Sequence, residues 1–272
     1  MDILRYAKSR KLPYACNDEV NTEIKKTKED IQMVWIIKEA LWHRRILPFF
    51  QEIHNNQGGS KRMFESLMRI FDEDGNIYYP NSFLPVAKEY ELYDSLSELM
   101  VKMVMEQFEN KDARITINLS VQDIYNRNLI QFIFGKLREC SHPENFVFEI
   151  VESEEVTDYQ YMKEFADRIH ECGGMIAIDD FGSGFSNIKN ILNINADFIK
   201  VDGAIVKTVV EDVQCRDFIE FINGWCKKAG QELICEFIEN EQIQKIMEEI
   251  GVGHSQGYFF SKPHKWSEED ET

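Results

Sequence analysis

Two adjacent aspartates, Asp179 and Asp180, end the apolar run Met175-Ile176-Ala177-Ile178 and precede the turn Phe181-Gly182-Ser183-Gly184-Phe185. Successive strand residues point to opposite faces, so neighbouring carboxylates converge only where a strand ends and the backbone bends. Gly182 and Gly184 permit such a bend. Two carboxylates brought together repel unless a cation joins them, so the chemistry expected here is that of a divalent metal. Taken alone, an Asp-Asp pair before glycine is more often a turn closing an exposed strand. The other polar residues of the chain tip that balance.

The elements that must position them are eight apolar, β-branched or aromatic runs. They span Ile46 to Ile53, Lys61 to Ile70, Arg114 to Leu119, Asn145 to Val151, Gly174 to Asp179, Asp197 to Val201, Glu232 to Glu236 and Ser255 to Phe260. Only Asn55-Asn56-Gln57-Gly58-Gly59-Ser60 separates the first two, too little for a crossover, so these strands are expected to be antiparallel. Helical apolar spacing over Ser82 to Asn110, Val121 to Cys140, Tyr159 to Cys172, Asp212 to Gly230 and Asn240 to Ile250 supplies crossovers between parallel strands. A short helix is expected between Gly184 and Ala196. The pattern predicts an α/β fold, a (β/α)8 TIM-like barrel with an antiparallel first strand, over an open doubly wound sheet. The barrel is preferred because Glu65, Asn118, Glu149, Asp179, Asp180, Lys200, Glu236 and Gln256 fall at the carboxyl ends of nearly all the strands, where such barrels gather active sites.

Four segments follow: residues 1–20, a leading helix over 21–45, the barrel over 46–264, and an acidic tail over 265–272 expected to fray. The leading helix takes its apolar positions from Ile31, Val34, Trp35, Ile37, Leu41 and Trp42. With 43% hydrophobic and 12% aromatic residues among 272, the chain has material for a large core. A net charge of −17 argues against duplex nucleic acid or anionic lipid as partners, so a phosphate substrate would need cations and a few placed basic residues. The six cysteines form no Cys-x-x-Cys pair and the six histidines no i, i+4 pair, which leaves oxygen donors as the metal candidates. No apolar stretch reaches the length of a membrane span, and the first residues lack the apolar core of a signal peptide. A cytoplasmic chain is expected, although a parent protein could be anchored through regions outside it.

Taken together, these residues resemble the EAL family of cyclic di-GMP phosphodiesterases over about residues 46–264. The signature stands here as Glu65-Ser66-Leu67 within Phe64-Glu65-Ser66-Leu67-Met68-Arg69. In family order follow Pro80-Asn81-Ser82-Phe83, Asn118-Leu119-Ser120, Phe148-Glu149-Ile150-Val151-Glu152, the paired aspartates with their glycine turn, and Phe198-Ile199-Lys200-Val201-Asp202. Cys235-Glu236-Phe237-Ile238-Glu239 and Gln256-Gly257-Tyr258 complete the series. Met1 to Ser9 also resembles the last helix of a GGDEF domain, a frequent neighbour of EAL domains, so the parent could join the two.

The resemblance implies hydrolysis of cyclic di-GMP to linear pGpG with two ions, Mg²⁺ or Mn²⁺, at one site. Glu65, Asn118, Glu149 and Asp179 would hold one ion and Asp180 a second, with Asp179 between them. Glu65, Lys200 and Glu236 form the catalytic group. Lys200 offsets developing negative charge, and Glu236 serves as general base or orients a metal ligand. Gln51, Arg69 and Gln256 would contact the dinucleotide, Glu152 would steady the loop after the aspartates, and Glu239 is a further carboxylate near the site. A homodimer is also implied, through the helix and loop that follow the paired aspartates. The sequence departs from the family pattern at Ser66 for alanine, Glu52 for proline, Phe237 for glycine and Phe185 for tyrosine, none of which removes a ligand. The alternative is a module that binds cyclic di-GMP or a partner protein without cleavage.

Overall fold

The computed structural model describes residues 17–59, 61–151, 159–182 and 194–271. They fall into two compact units, one made of the residues up to Leu47 with Met68–Leu96, the other of Pro48–Leu67 with the residues from Ser97 onward.

In the first unit, α1 (Asn17–Trp42) and α2 (Pro80–Glu89) pack together. Ile36, Ile37 and Ala40 are buried on α1, with Phe83 and Ala87 on α2, whereas Ile31, Trp35 and Trp42 are exposed. Of the apolar positions expected on α1, Ile37 is the one fully buried. The strand end Ile70-Phe71 pairs with the two-residue β3 (Ile77–Tyr78), which the sequence pattern did not predict. Asp72 closes that hairpin by accepting the N–H groups of Asp74 and Asn76, the Asn76 amide and the Tyr78 hydroxyl. Proline at its first turn starts α2. Glu91, in the left-handed region at φ 57°, follows its end, so the long helix expected from Ser82 to Asn110 becomes two, the second being α3 (Tyr93–Phe108).

The second unit carries the barrel. Eight strands close into a ring in the order β1 (Ile46–Asn55), β9 (His254–Gln256), β8 (Glu232–Cys235), β7 (Phe198–Val201), β6 (Met175–Phe181), β5 (Phe146–Val151), β4 (Ala113–Leu119) and β2 (Arg62–Phe71), which pairs back with β1. The neighbours from β2 round to β9 are parallel, and β1 runs antiparallel to β9, as expected of the inverted first strand. Ile53, Met63, Val147, Ala177, Phe198 and Ile234 form a buried apolar cluster contributed by six of the strands.

The crossovers start and stop on their own side chains. Ser120 and Asp123 form a reciprocal capping box at α4 (Val121–Tyr125). Asn126 then caps α5 (Arg127–Glu139), which splits the helix expected from Val121 to Cys140. Between β5 and β6 lies α6 (Tyr159–Glu171), and the short α7 (Gly203–Val206) follows β7 with Asp202 as its cap. Asp212 caps α8 (Val213–Ala229), which Gly230 ends in the left-handed region, and Asn240 caps α9 (Glu241–Ile250). The last strand is shorter than expected because the chain turns at Gly257, where a Cβ would stand 2.1 Å from the Ile238 carbonyl oxygen. The short helix expected between Gly184 and Ala196 lies almost wholly outside the described residues, as do residues 1–16.

The described residues of the tail are packed. His264 pairs with Phe50 through two backbone hydrogen bonds. Trp266 sets its ring against Phe50, Phe64 and Phe108 at centroid distances of 5.4, 5.0 and 4.6 Å. Asp270, 5% exposed, accepts from the Ser267 N–H and hydroxyl and pairs with His264. Acidic composition suggested a solvated end, but one large aromatic and one satisfied carboxylate outweigh it.

Candidate active site

Strand periodicity sets the chemistry of the barrel mouth. Two positions beyond each of Met63, Val147, Ala177, Phe198 and Ile234 in the interior cluster stand Glu65, Glu149, Asp179, Lys200 and Glu236. Residues two apart share a face, so the next interior step toward the carboxyl ends of the strands is charged. On the inverted β1 the same step runs backwards, and Gln51 precedes Ile53 by two.

Lys200, fully buried, is the hub. Its Nζ lies 2.9 Å from Glu149 Oε2, 2.9 Å from Glu236 Oε1, 3.2 Å from Asp179 Oδ1 and 3.7 Å from Glu65 Oε1. Glu65 also accepts from Asn118 Nδ2 at 2.9 Å and from Gln256 Nε2 at 2.6 Å. Gln256 reaches Gln51 Oε1 at 3.3 Å, and Gln51 Nε2 donates to the Ser261 carbonyl at 3.0 Å. A polar network therefore joins strands across the mouth of the barrel.

The aspartate pair sits on a defect. Pairing of β6 with β7 shifts register between Ile178 and Phe181, and Asp180 stands at φ 58°. Bulge and left-handed residue together supply the bend that adjacent carboxylates need in order to face one site. Ligand atoms of Asp179, Asp180 and Glu236 all lie within 4.8 Å of one another. The bend falls inside the strand, two residues before Gly182.

Burial and crowding shift these groups. Burial, with the Glu65 and Asp179 charges adding and Lys200 opposing, raises the Glu149 carboxyl to about 8. Burial and the charges of Asp179 and Asp202 raise Asp180 to about 6. Glu236 is held well above the carboxylate range by burial, against the pull of Lys200. Burial alone would lower Lys200, but the surrounding carboxylates outweigh it and hold the ammonium charged. Four carboxylates thus face one ammonium, with Asp180 beside Asp179 and Glu236, and Glu149 Oε1 is buried without a hydrogen-bond partner. Raised acids and an unpartnered hard oxygen are what a carboxylate cage shows when its charge calls for further cations, and the donors suit Mg²⁺ or Mn²⁺.

The remaining expected residues are placed differently. Glu239 is exposed and pairs with Lys207 at 3.4 Å, apart from the carboxylates around Lys200. Arg69 belongs to the first unit, where it is 6% exposed, its guanidinium 4.9 Å from the centroid of Tyr79 and its Nη1 donating to the Met68 carbonyl. Glu152 and Phe185 lie outside the described residues. Ser66 is accommodated, its hydroxyl donating to the Thr116 carbonyl on the neighbouring strand at 2.6 Å. In the sequence Asp202 stands out only as the end of the run Phe198-Ile199-Lys200-Val201-Asp202. Its cap on Ala204 and its field on Asp180 make it part of the site's electrostatics, a role that only the fold reveals.

Comparison with known proteins gives a family and a fold. The family model described as EAL domain matches residues 36–263. The chain is 26% identical over 243 residues to the probable cyclic di-GMP phosphodiesterase PdeA of Escherichia coli K12, covering 87% of this chain and 33% of that protein. It is likewise 26% identical to the cyclic di-GMP phosphodiesterase PdeF of the same organism, covering 87% of this chain and 32% of that one. It therefore spans about a third of the length of these curated relatives. Among solved structures it superposes on the PaMucR phosphodiesterase in complex with c-di-GMP with a TM-score of 0.79 at 22% identity, covering 86% of this chain and 98% of that one. The Xanthomonas citri FimX EAL domain in complex with c-diGMP gives a TM-score of 0.80 at 18% identity, covering 89% of this chain and 97% of that one. These two likenesses establish the barrel fold.

Proposed function

This chain belongs to the EAL domain family, and from that premise we propose that it is a metal-dependent phosphodiesterase that hydrolyses cyclic di-GMP to linear pGpG. The observation that carries the reading is the convergence of Glu65, Glu149, Asp179 and Glu236 on one buried lysine, with Asp180 beside them. Glu65, Asn118, Glu149, Asp179 and Asp180 would hold two divalent cations, Mg²⁺ or Mn²⁺. Such ions supply Lewis-acid stabilisation of the phosphoryl charge and lower the pKa of a water.

The chain's own residues then do the following. Glu236 takes the proton of the attacking water, whose oxygen joins phosphorus as the bond to the ribose 3′ oxygen breaks. That oxygen leaves as a hydroxyl and the new end is a 5′ phosphate. Lys200, kept charged by its neighbours, offsets the added negative charge while holding the carboxylates in register. Glu65 is steadied by Asn118 and Gln256, and Gln51 and Gln256 contact the dinucleotide. Neither duplex nucleic acid nor a membrane surface is a partner in this reading, and the chain works in the cytoplasm. A homodimer is part of this reading, through the helix and loop that follow the paired aspartates, which lie outside the described residues. The likeness of Met1 to Ser9 to a GGDEF helix supports a parent that joins both domains.

Incubation of the purified chain with cyclic di-GMP and Mg²⁺ or Mn²⁺, and again with EDTA, followed by chromatography, tests the reading. Metal-dependent pGpG is expected. Binding without product in either condition would replace the hydrolase with a cyclic di-GMP binding module.

A further inference from the structure

Directly after the base candidate Glu236, the backbone turns at Phe237 with φ 56°. The flanking N–H groups bond to different strands, that of Glu236 to the Val201 carbonyl and that of Ile238 to the Gln256 carbonyl. A left-handed bend between two neighbouring strands is a position that glycine fills without strain and that disfavours an aromatic residue. Packing does not explain the choice either, because Phe237 is 49% exposed. A strained and half-exposed aromatic beside the acidic cluster has neither a conformational nor a burial reason to be there.

The chain nevertheless makes a seat for the ring. Gly203 lies under it, where a Cβ would stand 2.1 Å from Phe237 Cδ2. Lys207, one helical turn further, places Nζ 4.4 Å from the ring centroid and is itself held by Glu239 at 3.4 Å. Gly203 and Lys207 thus both touch the ring, and about half of Phe237 stays exposed to solvent. Lys207 also accounts for Glu239, which fixes the lysine that fixes the ring.

We propose that Phe237 is a specificity-determining residue of this site, its exposed ring stacking on one purine base of the substrate. The inference rests on the cyclic dinucleotide reading above. A phosphodiester held by the carboxylate cluster places the attached nucleosides within a few ångströms of the reacting atoms, and base stacking on an aromatic ring needs only a free flat face. Strain at φ 56° is then the cost of presenting that face at the rim rather than turning it into the wall.

The test is steady-state hydrolysis of cyclic di-GMP by the whole chain with Mn²⁺, comparing wild type with Phe237→Gly and Phe237→Trp. Glycine suits the backbone, so the first variant is expected to fold and to melt no lower than wild type. Its KM is expected to rise about tenfold with kcat within about twofold, since one stacked base is lost and the reacting groups are untouched. Phe237→Trp is expected to keep the low KM. An unchanged KM for Phe237→Gly in a preparation whose wild type is active would overturn the stacking role alone. A fall in kcat at constant KM would do the same, by showing that the ring shapes the metal cluster instead. A wild type that makes no pGpG would remove the phosphodiesterase reading and this inference with it, so the two failures are distinguishable.

Discussion

Phe64 and Glu65 are neighbours on β2, and Phe50 and Gln51 are neighbours on β1, yet each pair divides between two environments. Glu65 and Gln51 join the polar network in the barrel mouth, whereas Phe64 and Phe50 meet Trp266 on the other face of the same strands. Strand alternation makes this possible, because one step in sequence is one change of face. The inner side concentrates like charge, with carboxyls driven upward by burial and mutual repulsion. The aromatic side gains from close packing of large apolar groups. Activity and stability are therefore expected to separate cleanly between residues one position apart.

The largest effect expected tests the charged side. Asp179→Ala should lower kcat for cyclic di-GMP by about a thousandfold or more, since it removes a carboxylate that would hold the proposed cations. Glu65→Ala should behave alike. In EDTA the same variants should melt at or above the wild-type temperature, because each removes a member of a mutually repelling group. Metal-dependent turnover retained by either variant, or a large loss of melting temperature in EDTA, would break the division.

Lys200 is the exception that sharpens it, because it serves both sides of the argument. Lys200→Met leaves four carboxylates around an uncharged stem, and breaking a buried ion pair on one side costs about 3 kcal/mol or more. A lowered melting temperature in EDTA is expected, with Mn²⁺ restoring a larger share of it than Mn²⁺ adds to wild type. If Mn²⁺ moves the two proteins equally, the carboxylates do not form a common cation site.

Trp266→Ala tests the aromatic side. Removing a ring that touches Phe50, Phe64 and Phe108 should cost about 3 kcal/mol in stability. Denaturant titration reads that loss, and kcat per folded molecule is expected to stay within about twofold. A collapse of kcat with stability intact would mean that the outer packing sets the geometry of the mouth.

The two sides were not equally legible in the sequence. The mouth was, because period-2 alternation and the carboxyl-end rule together predict which residues share the interior, and Glu65, Glu149, Asp179, Lys200 and Glu236 fall there. Strand ends were readable to within a residue or two for the same reason, except β9, where the turn at Gly257 depends on a close approach to Ile238 from a distant part of the chain. Helix breaks were missed at Glu91 and Asn126, since both residues are ordinary inside a helix and act as terminators only through their backbone or capping geometry. The tail was misread because composition weighs every residue equally, while the packing of Trp266 and the satisfied carboxylate of Asp270 decide the outcome. The positive φ of Asp180 depends on the register shift beside it, and that of Phe237 was signalled only by the glycine the family carries there.

The smallest effect concerns the clasp that holds the tail in place. Burial would lower the His264 pKa, but the Lys262 carbonyl and the Asp270 carboxylate outweigh it and raise the value above 6.5. Burial would raise Asp270, but His264 and the Ser267 N–H and hydroxyl outweigh it and lower the value below 3.8. A raised histidine contributes stability that is full below 6.5 and fades as pH rises through the folded value. A lowered aspartate contributes stability that is full above 3.8 and fades as pH falls through its folded value. The clasp is therefore strongest between pH 3.8 and 6.5 and weakens on both sides. Asp270→Asn removes the charge and keeps the shape, so the melting temperature of wild type should exceed that of the variant most within this window. The difference should be a few degrees there, shrinking above it as His264 loses its proton. A difference that stays constant from pH 5 to pH 8 would assign the clasp to the hydrogen bonds from Ser267, with no share for the ion pair.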